Sequence, residues 1–105
     1  MSLTKPIKEY RLIQLQNSLY KKKFEYKNKD KFLKILRISI SDEHILKITN
    51  FEIDNLNTLE IPAESSITIH ITLQASKNSN VYMKFIRYDT DQIEEELLFK
   101  IDLKQ

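Results

Sequence analysis

The chain has no glycine in its 105 residues. Phosphate-cradling loops and nucleophile elbows need glycine for a positive φ or for close approach of the backbone to a ligand. Its absence removes the dinucleotide-fold, P-loop and kinase glycine-loop readings together. Turns must be built from other residues. Asn28, Asp30, Asn50, Asn55, Asn57, Asn78, Asn80, Asp89 and Asp91 stand where apolar runs end, which is where turns are wanted. Cysteine is absent too, which excludes a disulfide framework and a thiolate metal site and suits the cytosol. No run approaches the roughly 18 apolar residues of a membrane span, and the start is not a signal peptide. The opening Met1-Ser2-Leu3 reads as an expression-vector scar, so the expectation is a domain cut from a longer protein.

What is present describes one globular domain: 41% of residues are apolar and 10% aromatic, enough for a packed core at this length. The net charge of +2 hides a segregation. Residues 1–37 carry eleven Lys/Arg against three acids, and residues 38–105 carry six against twelve. A basic arm on an acidic body can bind an acidic partner or its own body.

The most regular stretch is Ser66 to Gln74, opened by Ile61-Pro62. Ile67, Ile69, Ile71 and Leu73 alternate with Ser66, Thr68, His70 and Thr72. Period two with β-branched residues on both rows predicts a half-buried antiparallel strand, its Thr/His row facing water or a partner. Similar runs follow at 22–28, 32–40, 45–48, one or two within 51–61, then 81–88 and 95–103. Strands at such spacing predict an all-β fold, an antiparallel β-sandwich of about seven strands. Thr4 to Lys23 is expected to be an N-terminal α-helix, with Thr4 as N-cap, Pro6 in the first turn and Ile7, Tyr10, Leu12, Ile13 and Leu15 at helical spacings. The rival reading makes Glu9–Leu15 a strand. The expected division is a helical segment or linker over 1–21 and a sandwich over 22–105.

Phe24-Glu25-Tyr26-Lys27-Asn28, followed by Ile61-Pro62-Ala63-Glu64-Ser65 leading into the alternating strand, resembles the immunoglobulin-like family of major sperm protein and ASH domains. In that family a strand ending in Asn precedes an I-P-x-x-S turn. Phe85-Ile86-Arg87-Tyr88-Asp89-Thr90-Asp91 with Glu94–Glu96 and Leu97–Leu103 is most similar to the domains repeated in the nephrocystin-4 family. The resemblance implies an immunoglobulin-like fold and a non-catalytic scaffold module of the cilium base, basal body or centrosome. Its partners would be ciliary or centriolar proteins, with tubulin-like acidic surfaces among them. Two departures matter. The peptide-binding members carry a basic, threonine-bearing stretch before the I-P turn, whereas Ile38 to His44 here is acidic, so that activity does not transfer. The usual glycine of the turn is replaced by Ala63-Glu64, which puts the turn geometry in question.

Chemistry-bearing residues are sparse. His44 and His70 with Asp42 or Glu43 could ligate zinc only if they converged, and nothing in their spacing forces that. Asp89, Asp91 and Glu94–Glu96 lack a calcium-loop pattern and read as a solvated hairpin tip. Ser65 and Ser66 have no elbow around them, and Asp54 and Glu60 have no spacing that fixes a catalytic separation. No enzyme activity, metal, cofactor or small-molecule substrate is expected. The strongest signal is basic: Lys22, Lys23, Lys27, Lys29, Lys31 and Lys34, interleaved with Phe24, Tyr26 and Phe32, are the predicted partner-binding residues. Three readings stay open for them: a solvated face, a surface for an acidic protein, or a nucleic-acid or anionic-lipid site.

Overall fold

A computed structural model describes residues 7–51 and 58–104. Within them the chain forms eight strands: β1 (Lys8–Leu15), β2 (Tyr20–Lys27), β3 (Lys34–Ile40), β4 (Leu46–Ile48), β5 (Thr58–Ile61), β6 (Ser66–Leu73), β7 (Ser79–Arg87) and β8 (Ile93–Lys104). They make two sheets, one five-stranded in the order β1-β8-β7-β3-β5 and one three-stranded in the order β2-β6-β4. Every neighbouring pair is antiparallel except β1 with β8, which is parallel.

The inward rows of both sheets meet in one core. Leu36 and Ile38 of β3, Val81, Met83 and Phe85 of β7 and Leu97, Phe99 and Ile101 of β8 come from the larger sheet. Leu46 of β4 and Ile69, Ile71 and Leu73 of β6 come from the smaller. Phe85 joins the layers through rings of β2: Phe24 lies edge-on at 5.8 Å and Tyr26 is tilted at 5.9 Å. Offset and edge-on arrangements of this kind suit the ring quadrupoles.

The expected N-terminal helix is not formed: over Lys8–Leu15 the chain is strand β1, and β2 has begun by Tyr20. The reason lies at the other end of the chain. β8 offers an open edge, and β1 pairs with it residue for residue from Lys8↔Leu97 to Leu15↔Lys104. Tyr10 and Leu12 then pack on the core while Ile13 points to solvent. A lone helix of this length is marginal, whereas a strand added to an existing sheet gains a full ladder. Thr4 and Pro6, expected as helix cap and first turn, lie outside the described residues.

Three backbone positions among the described residues bear on the missing glycine, one of them Asp91 at φ 56 in the turn between β7 and β8. The turn from β1 to β2 has Asn17 at φ 60, and its N–H donates to the Ala75 carbonyl at 2.9 Å. Asn tolerates the left-handed region. In the turn between β5 and β6, Glu64 takes φ 55, so this chain keeps the left-handed geometry without glycine, at a cost of roughly 1 kcal/mol. Glu64 N–H donates to the Asp30 carbonyl at 3.0 Å, which holds the turn against the end of β2.

Candidate functional site

The two surfaces expected to meet partners, the lysines of β2 and the polar row of β6, turn out to be one. Antiparallel pairing sets Lys21 beside Thr72, Lys23 beside His70, Glu25 beside Thr68 and Lys27 beside Ser66. Cross-strand partners share a face, so all eight side chains stand on the outer side of the three-stranded sheet. On the far side of β6, Lys47 of β4 pairs with Thr72, adding a fourth ammonium. Lys21, Lys23, Lys27 and Lys47 are exposed, and Glu25 is the one acid in these rows. Glu25 lies 3.8 Å from Lys27. Among the described residues, Lys21, Lys23 and Lys47 make no ion pair.

The floor is kept flat by Asn50. β4 ends at Ile48, after which Thr49 N–H donates to the His70 carbonyl at 2.9 Å. The Asn50 side chain then continues the ladder: its Nδ2 donates to the Thr68 carbonyl at 2.8 Å, and its Oδ1 accepts from the His70 N–H at 2.9 Å. A side-chain amide thus stands in for the next strand residue and closes this part of the β6 edge. The result is a shallow concavity of about 430 Å³ lined by Lys21, Lys23, Thr49, His70 and Thr72, with Lys22 and Ile71 below. Hydroxyl donors, an imidazole and ammonium groups around an open hollow suit carboxylate or other anionic groups presented by a partner.

The other predicted residues go elsewhere. Lys22 belongs to the inward row of β2, where its Nζ lies 4.4 Å from the centroid of the Tyr10 ring, and Tyr10 in turn stacks on Phe99 at 5.2 Å. Lys29 and Lys31 are exposed in the β2–β3 connection. Lys34 is only 8% exposed. Its Nζ donates to the Tyr26 hydroxyl at 3.3 Å and lies 3.4 Å from Asp30 and 3.5 Å from Glu94. Burial works against its charge, but the Tyr26 hydrogen bond and the carboxylates of Glu94 and Asp30 outweigh it, leaving its pKa above the ordinary lysine value. Burial likewise pushes the Tyr26 phenol up, against the pull of Lys34. A second cavity, of about 520 Å³, lies beside this group between Lys8, Tyr26, Lys29, Glu94 and Glu95.

The acidic hairpin tip is engaged by the chain's own cations. Arg37 lies 3.4 Å from Asp91, Arg87 3.3 Å from Asp89, Lys8 2.5 Å from Glu95 and Lys84 3.7 Å from Glu96. The body therefore neutralises part of the basic arm through Lys8 of β1 and Arg37 of β3, and pairs Lys84 and Arg87 of β7 with its own acids, while the outer lysines of β2 and β4 stay clear of it. His70 stands on the outer face and His44 in the turn before β4. Among the described residues no group of three or more His, Asp or Glu side chains is placed to hold a metal. Lys47 escaped the sequence reading, although the alternation Leu46-Lys47-Ile48 carried the signal.

Solved structures share this architecture. An ASH/PapD-like domain of human CEP192, its PapD-like domain 7, matches with a TM-score of 0.60 at 9% identity, over 100% of this chain and 94% of that one. SSP-19, an MSP-domain-like family member of Caenorhabditis elegans, matches with a TM-score of 0.55 at 9% identity, covering 90% of this chain and 94% of the other. WR4, a C. elegans MSP family member, matches with a TM-score of 0.55 at 6% identity, covering 90% and 92%. No protein-family model matches the chain, and no curated protein matches its sequence at a significant level. At such identities the likeness establishes the fold: an immunoglobulin-like β-sandwich of the major sperm protein and ASH type, here without a helix among the described residues.

Proposed function

We propose that this domain is a non-catalytic protein-interaction module of a larger scaffold, and that it binds an acidic protein surface through the outer face of its three-stranded sheet. One observation carries the reading. The β2–β6–β4 register gathers Lys21, Lys23, Lys27 and Lys47 around a polar floor of Thr68, His70 and Thr72. Those ammonium groups create a positive field that steers an acidic partner and fixes its register. A setting at the centrosome or cilium base is supported by the fold shared with a CEP192 domain and by the resemblance of the closing strands to the nephrocystin-4 domains.

The test is a pull-down from extract of ciliated cells, comparing the wild-type chain with a Lys21→Glu, Lys23→Glu, Lys27→Glu variant. The reading expects specific centrosomal or ciliary proteins on the wild type and their loss from the variant. Equal recovery by both would move the site off this face. Nucleic acid or anionic lipid on the same lysines is the alternative outcome. A phosphate-backbone partner would lose affinity in proportion to the counterions released, with a slope near −0.9 per contacted phosphate on duplex DNA.

A further inference from the structure

The five-stranded sheet ends at β1, whose parallel ladder to β8 occupies one side of its backbone. Among the described residues no strand pairs with the other side. Sheets commonly blunt such an edge with charged side chains, a proline, a bulge or a very short strand; of these β1 has only the charges of Lys8, Glu9 and Arg11, which discourage any partner strand that does not match them. β1 is eight residues long, contains no proline, and keeps an unbroken register with β8. Its outward row is Glu9, Arg11, Ile13 and Leu15. Ile13 is 72% exposed and Leu15 62%, and Ile7 just ahead of the strand is 47% exposed. The β8 neighbours of Ile13 and Leu15 are Asp102 and Lys104, which give no apolar cover.

The order of residues along this edge identifies what covers it. An antiparallel copy laid alongside must set outer row against outer row, because a slip of one residue turns every side chain to the wrong face. Centred on Arg11, the pairing puts that guanidinium against itself. Centred on Leu12, it puts Arg11 against Ile13 and Glu9 against Leu15. Centred on Tyr10, it puts Ile7 against Ile13 and Glu9 against Arg11, twice each by symmetry. The outer row of Ile7-Lys8-Glu9-Tyr10-Arg11-Leu12-Ile13 is thus its own complement, as a two-fold interface requires, while on the inner row Tyr10 meets its copy and Lys8 meets Leu12. Glu9 is already held in place by Lys100 at 2.6 Å, whose hydrogen bond keeps the carboxyl below the usual carboxylate range.

The geometry points to β1 as a self-association edge: two copies pair antiparallel about Tyr10 and join their five-stranded sheets into one. The surface is distinct from the basic face of β2, β6 and β4, so both can be occupied together.

Sedimentation velocity of the 105-residue chain over a wide concentration range tests this. One strand edge is a small interface, so a dimer that dissociates on dilution is expected. Glu9→Arg alone or Arg11→Glu alone sets like charges opposite one another and should weaken self-association by roughly tenfold or more. The double variant Glu9→Arg, Arg11→Glu exchanges the pair and should restore it. Ile13→Lys, at an exposed position that the fold does not need, should also abolish the dimer. Circular dichroism confirms that each variant is folded. A chain monomeric throughout overturns the inference. So does a dimer indifferent to all these substitutions, or a folded double variant that stays monomeric; the last result would rule out the pairing of Glu9 with Arg11 about Tyr10.

Discussion

Asn28 is 2% exposed, and its amide nitrogen lies 3.0 Å from the carbonyls of Phe32 and Ile61 and 3.1 Å from that of Pro62. Its Oδ1 accepts the Asp30 N–H at 3.0 Å, and its own N–H donates to Ser65 at 2.8 Å. One side chain therefore ties the end of β2 to the β2–β3 connection and to the turn between β5 and β6. Asn28→Ala removes the amide donor from the Phe32, Ile61 and Pro62 carbonyls, of which Pro62 keeps only the Ser65 N–H at 3.3 Å. The expected cost is about 2–4 kcal/mol, checked by urea unfolding. The strand-Asn and Ile-Pro pair stood out in the sequence as a motif, and the hydrogen bonds supply its physical content. Glu64 is the complementary case. Its φ of 55 was not legible, because a non-glycine residue adopts that region only where surrounding contacts impose it.

At the scale of elements, β2 separates two jobs by alternation. Lys21, Lys23, Glu25 and Lys27 face out; Lys22, Phe24 and Tyr26 face in. The adjacent lysines should then behave differently. Lys22→Ala loses the contact over the Tyr10 ring and should lower stability by about 0.5–1 kcal/mol with little effect on partner capture. Lys23→Ala should leave stability within about 0.5 kcal/mol and weaken capture. Parallel thermal melts and pull-downs of the two variants check this, and equal effects on both readouts would contradict the assignment of faces. β1 shows why the alternation was not decisive everywhere. Tyr10 and Leu12 alternate with Glu9, Arg11 and Ile13, yet Ile7, Tyr10 and Ile13 also fit helical spacing. The two periods compete over so short a run, and the deciding partner, β8, lies some ninety residues away in register.

For the molecule as a whole, the Lys34 group links the layers: Tyr26 belongs to the small sheet, Lys34 and Glu94 to the large one. Both Lys34 and Tyr26 have raised pKa values, so the folded state holds their protons more tightly than the unfolded one. The stabilisation is complete below the ordinary values of 10.0 and 10.5 and is lost as pH rises through the raised ones. Thermal melts across the alkaline range should therefore decline above about pH 10. Lys34→Met should be less stable at neutral pH and show a shallower alkaline decline; an unchanged slope would mean that the pair does not govern it. The sequence by itself determined the strand periods from β2 onward, the all-β class and such turn residues as Asp30 and Asp89, because these follow from local sterics and side-chain period; Asn80, expected in a turn, lies in β7. Only the tertiary structure decided that residues 8–15 are a strand, that Lys34 is buried, and that the lysines of β2, Lys47 of β4 and the Thr/His row of β6 form one face. Pairing between distant strands sets each of these, and no local pattern encodes which strands will meet.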